Sequence, residues 1–185
     1  CWAVRSAVVE QGASLAAQVR SLRSDLLRTR EQIEGQIRAN VERADELVNE
    51  VAVLNKAIVN AEQGRGEEGN LRDQRDRLVN ELAGMMDITA VEQSNGAVDI
   101  HVDSQPVVLG TVSRGLQLNV RSEPSTGELE FRVQTRIDPE QVRARSGTIG
   151  ALLEQREVAV QGTLDDLNEV ASQLIFQVNR LHSGG

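Results

Sequence analysis

VRSAVVEQGASLAAQVRSLRSDLLRTREQIEGQIRANVERADELVNEVAVLNKAIVNA, running from Val4 to Ala61, decides the fold. It holds no proline, and its glycines are Gly12 and Gly35. Apolar residues recur at Leu15, Val19, Leu22, Leu26, Ile33, Ile37, Val41, Ala44, Val48, Val51 and Ile58. The steps are mostly threes and fours or their sums, the period of a helix with one wet and one dry face. Roughly 58 residues at ~1.5 Å each predict a rod about 85 Å long, several times an ordinary helix. Such a helix cannot bury its seam against one compact core. It needs other helices laid along it, and the rest of the chain is read as their source.

The rod should stop near Ala61. Gln63 to Gly69 reads QGRGEEG, and Gly64, Gly66 and Gly69 match GxGxxG by letter. A dinucleotide loop with that pattern follows a strand and presents no anion-repelling side chains. This stretch follows a helix and carries Glu67 and Glu68, so it reads as a helix stop and a flexible turn. Asn70 then serves as an N-cap, with Asp73 opposing the helix dipole in the first turn. Leu71, Leu78, Val79, Leu82, Met85 and Met86 predict an amphipathic helix of about 16 residues that folds back antiparallel on the rod. Asp73 with Arg77, and Arg72 with Asp76, stand four apart and can pair on its surface. The charge cluster reads as a solvated or interface face.

After Asp87 the period changes to two. Ile88–Gln93 is rich in β-formers, and Ser94-Asn95-Gly96 is a hairpin turn. Val98, Ile100 and Val102 alternate with polar residues, Val107–Leu109 follows Pro106, and Leu116, Leu118 and Val120 alternate again. Pro124 to Gly127 turns the chain into Leu129, Phe131 and Val133. Four to six short antiparallel strands are expected, with one apolar and one wet face. Asp138-Pro139 can cap a short helical turn. Ser146-Gly147-Thr148 then opens a last helix of about 33 residues, laid antiparallel along the first. Leu153, Val160, Leu167, Leu174 and Leu181 form an unbroken seven-residue series, joined by Leu164, Ala171 and Val178. On this reading Leu167 and Leu174 face the first helix, whereas Arg156 and Glu157 lie outside the main series.

Composition narrows the function. The 185 residues are 39% hydrophobic but carry only three aromatics, Trp2, Phe131 and Phe176, so the core is aliphatic. Net charge is −8 with both signs mixed, unlike the basic stripe of a nucleic-acid binder. Cys1 alone builds no disulfide framework. No run of about 18 apolar residues suits a membrane span. His101 lies on a polar strand face and His182 far along the chain, so neither reads as a metal ligand. No nucleophile–base pair, metal cluster or phosphate loop emerges. Both ends, Cys1 and Gly185, read as cuts, which predicts a fragment of a longer protein.

Four stretches carry a family likeness. Asn70-Leu71-Arg72-Asp73-Gln74-Arg75-Asp76-Arg77-Leu78 resembles the N-L-x-D-Q-R-D-x-L segment of the bacterial flagellar hook-associated protein 1 family, the hook–filament junction proteins. Gly150 to Glu157, with Leu153, Glu154 and Arg156, looks like the family's G-x-L-L-E-x-R-D helix start, departing at Glu157. Val178 to Gly185, with Asn179 and His182, is similar to its V-N-x-x-H-x-x-G segment. Leu54-Asn55-Lys56-Ala57-Ile58 resembles its L-N-x-x-I.

The resemblance implies an α+β fold: a long antiparallel helical bundle, a flagellin-like core domain, with a small antiparallel β insert. Residues 1–87 and 138–185 would form the helical domain and 88–137 the separable insert. It also implies a non-enzymatic, extracellular subunit without a cofactor, exported by the flagellar type III apparatus with no cleaved signal. Its implied partners are copies of itself in a ring, the hook protein, a second junction protein, and an export chaperone acting on a terminal segment. The family's terminal segments have no counterpart here, nor does its second outer domain unless the β insert is that domain in reduced form. The motif residues Asn70, Leu71, Asp73, Gln74, Arg75, Asp76, Leu153, Glu154, Arg156, Asn179 and His182 would be structural. The rival reading is a periplasmic or extracellular helical sensory or adhesion-type bundle.

Overall fold

The computed structural model describes residues 2–62, 68–125 and 127–183, with 2–8 and 181–183 described by backbone alone. The chain order is α1 (Trp2–Glu62), α2 (Gly69–Met85), six strands, α3 (Gly147–Glu154), a π-helical segment (Gln155–Gln161) and α4 (Gly162–Ser183). The fold is α+β. The chain divides into two compact units, Gln36–Leu153 and a second comprising 1–35 with 154–185.

Within Gln36–Leu153, α1 supplies the floor. Ile37, Val41, Ala44, Val48, Val51 and Ile58 are buried, with Leu47 and Ala52 widening the face. Their three-and-four spacing keeps them on one side of the helix. α2 runs antiparallel along this stretch, as expected. Arg43 reaches Glu81, and Glu62 reaches Arg72, so partners approach in opposite chain directions. Leu82, Met85 and Met86 close the helix–helix core.

Asn70 is not the cap of α2. The helix opens at Gly69 with Glu68 as N-cap residue and no side-chain cap. The Glu62 carboxylate accepts the N–H of Glu68 itself, its Oε1 lying 2.8 Å away. Asn70 Oδ1 instead accepts from Gln74 Nε2 at 3.1 Å. The surface pairs expected on α2 do not form either. Arg77 Nε donates to the Asp73 carbonyl, Arg72 turns to Glu62 and Glu92, and Asp76 receives Arg75. Carboxylates on α1 and the first strand draw Arg72 away from its own helix. The GxGxxG stretch falls largely on 63–67, outside the described residues.

The strands are β1 (Ile88–Glu92), β2 (Val98–Val102), β3 (Gln105–Leu109), β4 (Val112–Ser113), β5 (Leu116–Ser122) and β6 (Leu129–Thr135). β1 to β4 form an antiparallel meander and β5–β6 a separate hairpin. Val98, Ile100 and Val102 are buried, as their alternation requires. Pro106 sits where the β2–β3 register shifts, a place that tolerates a residue without an N–H. In the β1–β2 turn Gly96 N–H donates to Gln93 O and Gln93 N–H to Ala97 O. Gly96 has φ +84° whereas Asn95 does not have positive φ. This is a three-residue loop with glycine at the left-handed position, not the two-residue type.

Asp138-Pro139 opens no helical turn. Asp138 takes φ +50°, and Thr135 Oγ1 donates to Asp138 O while accepting from Glu140 N–H. The chain doubles back, bridging Gln141 to Gln134 beside β6. The threonine hydroxyl satisfies the groups that a helical turn would have used.

α3 begins at Gly147, whose φ is +72°. A Cβ there would lie 2.5 Å from the Met85 carbonyl carbon and 2.7 Å from Met86 N. Gly147→Ala combines left-handed strain with a clash against backbone and is expected to destabilise by about 3 kcal/mol. Gly12→Ala, a helical site with nothing within 4 Å, should stabilise by about 0.5–1 kcal/mol. Urea melts of the two variants should move in opposite directions, and equal midpoints would refute the Gly147 argument.

In the second unit, Glu34 meets Arg156 and Arg30 meets Gln161, so this part of α1 and the last helical stretch are also antiparallel. The last helix is not one regular coil. Buried Leu152, Arg156, Val160 and Leu164 are spaced by four. On a regular α-helix four-apart positions drift by roughly 40° per step. The underwound π segment holds them on one face. The heptad seam therefore fades beyond Leu164. Leu167 is half-buried, Leu174 is 43% exposed and Val178 57% exposed. The side chain of Leu181 lies outside the described residues.

Candidate functional site

The helices hold the strand region through a line of polar side chains that bind backbone groups. Asn55 leads it. It occupies an apolar stripe between Val51 and Ile58 and is fully buried. Its Nδ2 donates to Val98 O at 2.8 Å and Gly110 O at 2.6 Å, and its Oδ1 accepts Val98 N–H at 3.1 Å. One amide thereby joins the first residue of β2 to the turn after β3. Ten residues earlier on α1, Asp45 Oδ1 accepts Leu116 N–H at 2.7 Å, and its Oδ2 receives Arg136 at 2.6 Å. That carboxylate anchors the β5–β6 hairpin at its opening residue. Asp87 Oδ1 accepts Arg145 N–H at 2.8 Å and Ser146 N–H at 3.3 Å, fixing the chain as it enters α3.

Arg75 completes the set from α2. It is 3% exposed, and its NH1 donates to Gly96 O at 2.7 Å while Nε donates to Asp76 Oδ1. Beside it, Arg72 donates through Nε and NH2 to both oxygens of Glu62, each at 2.7 Å, and through NH1 to Glu92 Oε1 at 2.5 Å. The paired Arg72 guanidinium, then the Glu68 N–H, hold the Glu62 carboxyl down to about 2 from 4.5. The folded carboxyl binds its proton less readily than the unfolded one. Its stabilising share is thus complete above about pH 4.5 and is lost as pH falls towards about 2. Thermal melts through this window should show Glu62→Gln less acid-sensitive than the parent. Parallel pH curves for the two would contradict the assignment.

The motif residues do not converge on one site. Leu71 is half-buried, and Asp73, Gln74 and Asp76 stay on the exposed side of α2. Leu153 is half-buried and Glu154 exposed. Arg156 corrects the sequence reading: far from lying outside the seam, it is 5% exposed and donates to Glu34 Oε1 at 2.9 Å. Asn179 is exposed, and the side chain of His182 lies outside the described residues. Sequence reasoning noted Asn55 only as the asparagine of the L-N-x-x-I likeness and gave Asp45 and Asp87 no role. Asn55 had a signal, as an amide on an apolar stripe; the two aspartates had none.

Among the described residues no group of three or more histidine, cysteine or acidic side chains is placed to hold a metal ion. No described helix is long and apolar enough to cross a membrane. An open groove of about 540 Å³ between α1 and α2 is lined by Val53, Leu54 and Leu78 with Asn49, Glu50, Gln74 and Arg77. The polar anchors lie instead between helix and strand, where they bind backbone.

The model of the flagellar hook-associated protein FlgK helical domain matches residues 2–185. The chain belongs to this family. It is 22% identical, over 98% of its length, to flagellar hook-associated protein 1 of Bacillus subtilis strain 168, of which it covers 41%. The structure of the flagellar hook junction protein FlgK from Burkholderia pseudomallei matches 77% of the chain with a TM-score of 0.64 and 27% identity. The match covers 26% of that solved chain. The chain thus spans less than half the length of these relatives.

Proposed function

We propose that the chain is the helical core of a structural subunit at the junction between flagellar hook and filament. The family match across residues 2–185 carries this reading. In it the subunit is extracellular, leaves the cell through the flagellar export apparatus and performs no catalysis. Copies of itself, the hook protein and a second junction protein are its neighbours, and an export chaperone acts on sequence outside these 185 residues. Segments 1–87 and 138–185 form the helical domain, and 88–137 is an insert carried on it. The family-motif residues serve the fold, with Arg75 and Arg156 as buried anchors.

An epitope placed in the β5–β6 turn between Pro124 and Ser125, both exposed, tests the reading in the full-length gene product. Immunogold microscopy of whole cells should put label at the hook–filament boundary. Label confined to the cell envelope would favour the sensory or adhesion-type alternative, and label along the whole filament would contradict a junction role.

A further inference from the structure

Asn95-Gly96 is the one Asn–Gly pair in the chain, and such pairs carry their own side reaction. The glycine nitrogen, once deprotonated, attacks Asn95 Cγ. An N–Cγ bond forms, the Cγ–Nδ2 bond breaks and ammonia leaves with the proton. Water then opens the resulting succinimide at one of its two carbonyls, giving aspartate or isoaspartate. No oxidant or reductant is needed. Asn95 itself is exposed at the tip of the β1–β2 hairpin.

The structure opposes each requirement of that attack. The attacking Gly96 N–H is engaged with Gln93 O at 3.0 Å. Asn95 Oδ1 is held by Ala97 N–H at 3.1 Å. Gly96 is packed so closely that an added Cβ would sit 2.7 Å from Glu62 Oε2 and 3.1 Å from Ile58 Cγ2. Its carbonyl is tied to the buried Arg75 guanidinium on α2. Ring closure has to pull the Gly96 nitrogen from Gln93 towards the asparagine side chain. The turn cannot make that movement while Arg75 and the floor of α1 hold the glycine.

We propose that Asn95 is a latent deamidation site that Arg75 keeps closed. It reacts only when the hairpin tip lifts from α2. Isoaspartate then routes the main chain through the former side chain, adding a backbone carbon. The lengthened turn no longer returns Gly96 O to Arg75, so the product records the opening permanently.

The test holds the 185-residue chain in mildly alkaline buffer and measures aspartate and isoaspartate at position 95 by peptide mass spectrometry. Folded parent, parent in urea, folded Arg75→Gln and folded Arg77→Gln are compared. The folded parent should react about tenfold or more slowly than the unfolded chain, because only the opened turn is reactive. Arg75→Gln should approach the unfolded rate and Arg77→Gln should stay with the parent. A folded parent as fast as the unfolded chain overturns the proposal, as does a folded Arg75→Gln as slow as the parent. Should Arg75→Gln fail to fold, a urea series on the parent decides. A rate rising ahead of global unfolding supports a local latch, and one that tracks global unfolding alone overturns it.

Discussion

Asn55→Ala is expected to destabilise the unit Gln36–Leu153 by about 3–6 kcal/mol, a large part of a typical domain's stability. The substitution removes little volume but three hydrogen bonds. It leaves the N–H and carbonyl of buried Val98 and the carbonyl of half-buried Gly110 without their partner. Each orphaned buried group costs about 1–3 kcal/mol. Leucine should do no better, because it fills the space and satisfies none of the groups. Asn119→Ala is the contrast: its Nδ2 meets Gln134 Oε1 at a half-buried position, and less than about 1 kcal/mol should be lost. Chemical denaturation ranks the variants, and an Asn55→Ala midpoint equal to that of Asn119→Ala would remove the anchor assignment.

Arg156→Ala should cost about 3 kcal/mol or more, since it leaves Glu34 partly buried without its closest guanidinium partner. Glu34→Ala should cost a comparable amount by removing the 2.9 Å partner of the more deeply buried arginine. Arg156→Met combined with Glu34→Leu should recover most of the loss, because an apolar pair of similar volume needs no desolvation of charge. The double-mutant cycle separates a paired charge from mere packing. Additive single effects would mean that Arg156 contributes only its hydrocarbon stem. The sequence reading, which set Arg156 outside the seam, predicts less than about 1 kcal/mol.

That difference shows where the sequence was legible. The helix of α1 could be read because threes and fours repeat from Leu15 to Ile58, but its dry face was read too far, since Leu15 and Leu22 are 42% and 48% exposed and burial begins at Ile33. The strands of the β1–β2 and β5–β6 hairpins could be read because turn residues punctuate alternating apolar positions. Arg156 could not, because charge argues for solvent until a partly buried carboxylate elsewhere in the chain is known. Its position still matches the four-residue spacing of Leu152, Val160 and Leu164, which competes with the heptad series built on Leu153. Asn70 reads as a cap because local chemistry favours it, but the Glu62 carboxylate at the end of α1 reaches the same end of α2. Asp138-Pro139 failed for a similar reason, the Thr135 hydroxyl supplying a non-helical alternative. Each miss has a partner distant in sequence or a side chain competing with the helix. Of the motif residues, those on α2 and after α3 could be found by likeness, but their division into buried anchors and exposed neighbours needed the tertiary structure.

Asn55 and Asp45 make the strands part of the same cooperative unit as the helices beneath them, and only the hairpin tip held by Arg75 opens ahead of it. Native-state hydrogen exchange across a urea series tests it most directly. The Val98 and Leu116 amides, bonded to Asn55 and Asp45, are followed beside the α1 amides of Val41 to Ile58. All of them should merge into one opening with the same free energy. Val98 and Leu116 exchanging through an opening about 3 kcal/mol or more below that of α1 would contradict it and make the strand region a separately unfolding body.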